Sequence, residues 1–83
     1  MLRLLAHPQR LRIVEILRRM ETAPVHDITR MLAAPQAVTS QHLNLMRRVG
    51  LVKAERRGKE VWYGVADARC YSILDCIKKK ASA

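Results

Sequence analysis

The hydrophobic period changes from helical to strand-like at Gly50, and that change constrains the fold more than any other feature. Before it, apolar residues recur every three or four positions; after it, in "LVKAERRGKEVWYGV", they alternate. A helical period followed by a strand period predicts helices first and a β-hairpin second. The two hairpin runs meet at Arg57-Gly58-Lys59. In the second run Val61, Tyr63 and Val65 share one face while Glu60 and Trp62 share the other.

Prolines divide the helical part. Pro8 suits the first turn of a helix, where its missing N–H is not needed. From there "PQRLRIVEILRRME" sets Ile13, Val14, Leu17 and Met20 on one stripe, with Arg12, Glu15, Arg18 and Arg19 largely opposite. "ETAP" stops that helix, because Pro24 cannot continue the hydrogen-bond ladder. A short second helix is predicted over "VHDITRML", with Ile28, Met31 and Leu32 inward. Pro35 opens a third, over about 36–49, and Gly50 ends it as a left-handed glycine does. After the hairpin, Asp67 is a candidate N-cap for a last helix over about 68–80, whose terminal lysines suit the negative end of the helix dipole.

The predicted fold class is therefore α+β, mostly helical: helices, a two-stranded hairpin over about 51–65, then a C-terminal helix. Two short helices joined by a tight turn form a helix-turn-helix, and a basic hairpin after them is a wing. Eighty-three residues make one domain, 1–83, with 49% hydrophobic residues and no Phe, so its core must be aliphatic. A domain this small is marginal alone and often relies on a partner subunit. Isoleucines, leucines and Tyr71 on "CYSILDCI" extend past what that core needs, so Leu2, Leu5, Ile73, Leu74 and Ile77 are predicted to pair two copies.

Charge points to the partner. Sixteen basic against seven acidic residues give +9, spread over the whole chain. That balance favours a polyanion, nucleic acid ahead of a membrane surface. No apolar run approaches the roughly 20 residues of a membrane span, and Arg3 and His7 interrupt any secretory leader, so a cytoplasmic location is expected.

The third helix carries the reading surface. Thr39, Leu43 and Met46 form its inner stripe, while Ala37, Ser40, Gln41 and Asn44 fall on the far side. A merely solvated face usually holds Lys and Glu. Small and amide side chains instead approach base edges in a major groove, where Gln and Asn pair with adenine. Gln36, Ala37, Ser40, Gln41 and Asn44 are the predicted base readers, with His42 beside them either touching DNA or supporting the helix. Arg47 and Arg48 at the helix end, and Arg56, Arg57 and Lys59 at the hairpin tip, are predicted to hold phosphates.

These residues bear a resemblance. "LAHPQRLRIVEIL" looks like the opening signature of the ArsR/SmtB family of winged-helix bacterial repressors. "VTSQHLNLMRRVGLVKAERRGKEVWYGV" resembles that family's recognition helix and wing, in Ser40, His42-Leu43, Gly50-Leu51-Val52, Arg57, Gly58 and Tyr63. The resemblance covers Leu5 to Val65. It implies a homodimer paired through its first and last helices that binds double-stranded DNA at an imperfect inverted repeat and blocks transcription until an inducer releases it.

The departures concern that inducer, which the sequence does not identify. Arsenic- and lead-type members carry a Cys-Val-Cys-Asp-Leu stretch where this chain has Pro24-Val25-His26-Asp27-Ile28, and zinc-type members place His ligands on a last helix that here has none. Ala33-Ala34 stands where a Gly and a larger hydrophobe are common. His7, His26 and His42 lie in different elements, so no metal site or cofactor is predicted, with His26 and Cys70 the nearest to ligands. Cys70 and Cys76 sit about 9 Å apart along one helix and about 120° around it, too far to bridge each other. They are candidates either for interface packing or for redox chemistry between subunits, with Lys78 to Lys80 nearby to favour a thiolate.

No catalytic constellation is present: there is no Gly-rich phosphate loop, and Ser40 and His42, two apart on a helix, do not face each other. The chain reads as a regulator rather than an enzyme. Two other classes compete with it, a nonspecific or architectural nucleic-acid binder and a winged-helix protein-interaction module.

Overall fold

A computed structural model describes residues 7–67, 69, 71–73, 75 and 76. Helix α1 spans Pro8–Met20, and His7 caps it with Nδ1 accepting from the Gln9 N–H at 3.2 Å. Pro8 stands in the first turn, and Arg18 and Arg19 in the last, at the negative end of the dipole. Ile13, Val14, Ile16 and Leu17 are buried, whereas Met20, expected on the inner stripe, is exposed at the last position of the helix.

The chain leaves α1 through Glu21, which has φ 66 and ψ −57, and forms a strand the periodicity does not predict. Strand β1 (Thr22–Pro24) pairs antiparallel with β3, Thr22 opposite Gly64 and Pro24 opposite Trp62. Three residues are too few to show alternation, and a proline normally argues against a strand. Here β1 lies at the sheet edge, where a missing N–H is tolerated. "ETAP" is thus both a helix stop and an edge strand.

Helix α2 (Val25–Leu32) buries Ile28 and packs Met31 and Leu32 against the core. Asp27 in its first turn pairs with Arg30 at 3.0 Å. The helix ends on Ala33, left-handed at φ 57, whose N–H donates to the carbonyls of Thr29 and Arg30. Helix α3 (Gln36–Arg48) follows at once, with Pro35 as its N-cap rather than its first residue.

Its C-terminus is closed by a Schellman motif. The Leu51 N–H donates to the Met46 carbonyl at 2.8 Å and the Gly50 N–H to Arg47 at 3.1 Å, with Gly50 at φ 84. Met46 and Leu51 are both fully buried, the apolar contact that accompanies the motif.

Strands β2 (Val52–Arg57) and β3 (Glu60–Val65) form the wing, completing a three-stranded antiparallel sheet in the order β1-β3-β2. Arg57 pairs with Glu60, leaving Gly58-Lys59 as a two-residue turn, and Gly58 has φ 62. A positive φ at the first central position is what the favoured type II′ hairpin requires.

One core joins all of this: Ile13, Val14, Ile16 and Leu17 of α1, Ala23, Ile28, Leu43 and Met46, then Leu51, Val52 and Tyr63. The fold is a winged helix-turn-helix. After β3, Asp67 accepts from the Arg69 N–H at 3.0 Å, as an N-cap does, and residues 69, 71–73, 75 and 76 are helical. Tyr71 and Ile73 rest half-buried against the core. Arg18 reaches across from α1 to Asp75 at 2.6 Å and lies 5.1 Å from the centre of the Tyr71 ring. Leu2, Leu5, Cys70, Leu74 and Ile77 lie outside the described residues.

Candidate nucleic-acid interface

The buried stripe of α3 is Thr39, His42, Leu43 and Met46. Rotating away from it brings Gln36, Ala37, Gln41 and Asn44 to the exposed side, with Ser40 half-buried at the boundary. All the neutral residues assigned to base reading, His42 excepted, therefore share one accessible face. Arg47 and Arg48 are exposed in the last turn.

That face is free of negative charge. From Ile28 to Ala54 the chain contains no Asp or Glu. Elsewhere five of the seven carboxylates pair with an arginine: Glu15 with Arg12, Asp27 with Arg30, Glu55 with Arg57, Asp67 with Arg69, Asp75 with Arg18. The Asp67 carboxyl is held below its usual range chiefly by the hydrogen bond from the Arg69 side chain. Arg47, Arg48 and Lys59 make no ion pair among the described residues. Their charge is left to act on an outside partner.

The wing separates its two arginines. Arg56 is opposite Val61, on the sheet face that carries Val52 and Tyr63 into the core, so it projects on the helix side of the wing. Its Nε donates to the Gly58 carbonyl at 3.3 Å. Arg57 takes the other face, with its guanidinium 4.7 Å from the Trp62 ring centre and 3.4 Å from Glu55. Periodicity puts Trp62 opposite Tyr63 but gives no hint that it is a seat for a wing arginine, since that contact is cross-strand and diagonal.

His42 departs from the expected interface. It is 8% exposed and faces α1, not solvent. Arg10 Nε donates to its Nδ1 at 3.2 Å, and Nε2 meets Gln9 Oε1 at 2.8 Å. Both ring nitrogens are spent inside the protein, so His42 supports the helix and has no free edge for a base. Gln9 and Arg10 thereby join the site as residues that sequence reasoning missed. They lie in the opening signature but 33 and 32 positions from their partner. Burial pushes the His42 pKa down, assisted by neighbouring His7 and Arg10.

His26 is exposed and lies 3.3 Å from Asp27 and 3.5 Å from Glu60, which stands beside the turn of the wing. Among the described residues no three His, Cys, Asp or Glu side chains converge as a metal site. Cys76 is exposed.

Residues 7–54, which span α1, the helix-turn-helix and the start of the wing, match the family described as bacterial regulatory protein, arsR family. The chain belongs to the arsR family. Among curated family members, the SmtB transcriptional repressor of Mycobacterium tuberculosis is 40% identical over 78 residues, covering 93% of this chain and 57% of that protein. This arsR-family chain thus spans little more than half the length of that relative. The PagR transcriptional repressor of Bacillus anthracis is 35% identical over 74 residues, 89% of this chain and 74% of PagR. The crystal structure of PagR superposes with a TM-score of 0.81 at 34% identity, covering 92% of this chain and 86% of PagR. A winged helix-turn-helix DNA-binding domain from Mycobacterium bovis, at 24% identity, shares the fold with a TM-score of 0.80 over 96% of this chain and 73% of that one.

Proposed function

We propose that this arsR-family chain is a DNA-binding transcriptional repressor that acts as a homodimer on an inverted-repeat operator. One observation carries the reading: the exposed face of α3 is neutral, hydrogen-bonding and free of acid, and uncompensated cations flank it on the helix end and wing. Gln36, Ala37, Ser40, Gln41 and Asn44 read base edges in the major groove. Arg47, Arg48, Arg56, Arg57 and Lys59 hold the sugar-phosphate backbone and set the register. Kinship with the SmtB and PagR repressors supports the repressor role over an architectural one.

Two copies pair through α1 and the last helix, with Ile73 at the edge of that surface. Such a regulator works in the cytoplasm; no described helix is long and apolar enough to cross a membrane. The departures at Pro24 and His26 separate it from the thiolate-sensing members, and Cys70 with Cys76 offers redox release as the alternative.

The test is fluorescence-anisotropy binding to a selected palindrome and to scrambled DNA at fixed salt, with reductant, with peroxide or polysulfide, and with zinc. A preference of roughly a thousandfold or more is the expected result for a specific repressor. Equal affinity for both DNAs would leave the fold standing and remove the repressor. Release by oxidant alone would assign sensing to the cysteines.

A further inference from the structure

The buried histidine of the recognition helix is the one polar side chain on α3 whose every hydrogen-bonding atom is committed to another helix. Arg10 Nε is a permanent donor, so the Nδ1 it meets must be the unprotonated nitrogen. The proton of the neutral ring then sits on Nε2 and is donated to Gln9 Oε1 at 2.8 Å. Gln9 is itself fixed, because its backbone N–H is bound by the capping ring of His7. The His7 ring completes the cluster, 4.8 Å from the His42 ring and tilted by 58°. A chain of contacts therefore runs from the N-terminal cap of α1, through Gln9 and Arg10, to the middle of the reading helix. Ser40, Gln41 and Asn44 lie within two residues of its far end.

We propose that His42 is a positioning residue for DNA recognition: as the neutral Nε2–H tautomer it locks α3 to the first turn of α1, and protonation releases the lock and weakens specific binding. The consequence for DNA rests on the repressor reading above. The lock itself does not.

Protonation has a defined effect here. The imidazolium carries N–H groups on both nitrogens, so Nδ1 would point a donor at the Arg10 guanidinium, and one hydrogen bond becomes a like-charge contact. The titratable and charged groups facing the ring among the described residues are His7 and Arg10, and both oppose its charging. The sign follows. A histidine whose folded-state value is depressed contributes stability that is fully present above the unfolded value, about 6.5, and is lost as the pH falls through the folded value. Ordinary electrostatics runs the other way, since protonating exposed histidines adds positive charge and strengthens DNA binding. A loss of affinity in mild acid is thus specific to a lock of this kind.

Two measurements on the full chain test it. Long-range ¹H–¹⁵N NMR of the histidine rings reads the tautomer without DNA. The expected result is His42 protonated on Nε2 alone at neutral pH, and its titration in acid moves the α3 amide signals. A dominant Nδ1–H form, or titration that leaves α3 unmoved, would overturn the lock whatever the DNA result.

Anisotropy with the palindrome from pH 7.5 to pH 5.5 reads the consequence, with an expected fall of roughly three- to tenfold in the wild type. His42→Asn keeps an acceptor where Nδ1 stood and cannot titrate, so the fall should vanish, from a neutral-pH discrimination already lowered by loss of the bond to Gln9. His7→Asn keeps the helix cap and should retain the fall. Gln9→Met, at a half-buried position, should reduce discrimination between palindrome and scrambled DNA with little change in melting temperature. An acid fall that persists in His42→Asn, or moves with His7→Asn, would refute the proposal. A wild type with no palindrome preference at neutral pH would instead refute the repressor reading, leaving the NMR result to decide the lock.

Discussion

At the residue scale, two non-glycine residues among those described hold positive φ, Glu21 where α1 ends and Ala33 in the turn of the helix-turn-helix. Ala33, at φ 57 and ψ 43, occupies the left-handed cap between α2 and α3, a conformation that costs an L-residue about 1–2 kcal/mol. Ala33→Gly should relieve it, and part of that gain is lost to the greater freedom of glycine in the unfolded chain. The expected net is a stabilisation of about 0.5–1 kcal/mol, read as a higher urea midpoint with an unchanged slope. A lower midpoint would mean that the methyl group packs to advantage there. The sequence shows the same residue only as an oddity of composition, since nothing in "MLAAPQ" says which alanine turns left-handed. His42 teaches the converse. Helical spacing puts it next to Leu43 on the stripe boundary, and only the placement of α1 decides that the ring turns inward to Arg10 and Gln9 rather than outward to DNA.

At the scale of elements, the reading helix and the wing should fail in different ways. Gln41 is exposed on the face of α3 away from the core, so Gln41→Ala should cost about 1–3 kcal/mol at one base position and relax specificity there. Arg56→Ala should weaken binding to all sequences alike and lower the slope of log affinity against log salt by about 1. The Arg57 substitution is the less clean probe, because Trp62 and Glu55 already hold that guanidinium. If Gln41→Ala lowered affinity for every sequence equally, α3 would not be the reading element. The helices, the wing and the Gly50 cap were legible because each repeats a local signal over many residues. Strand β1 was not, being three residues long with a proline in it. Its one trace is Gly64, buried near the end of β3, where an added Cβ would lie 3.2 Å from the Glu21 carbonyl oxygen. Glycine inside a strand signals close approach of another backbone, but which backbone is known only once the sheet is assembled. Gly64→Ala should therefore push β1 from β3 and destabilise the fold by about 1–3 kcal/mol, measured by thermal or urea unfolding. An unchanged stability would show that β1 shifts freely.

At the scale of the whole molecule, the described core is aliphatic apart from Tyr63 and small, and a chain of this length buries too little surface to be secure alone. Tyr71 and Ile73 cover that core yet remain half-exposed, so the last helix presents an unfinished apolar side next to α1. Arg18 holds it there through Asp75 and Tyr71, but that pair is exposed and salt-screened, which orients the helix more than it stabilises it. If a second copy finishes this side, folding and association are one equilibrium, and stability depends on protein concentration. The melting temperature should then rise by about 3–6 °C per tenfold increase in concentration, between about 1 and about 100 µM. Sedimentation across the same range should show the dimer. A flat melting temperature with a concentration-independent monomer would remove the homodimer, and with it the symmetric operator. A single α3 can touch only a few base pairs. Two copies related by a two-fold axis double that reading and demand half-sites one helical turn apart, about 34–36 Å. The dependence on concentration therefore decides whether specificity is a property of this chain or of its pair.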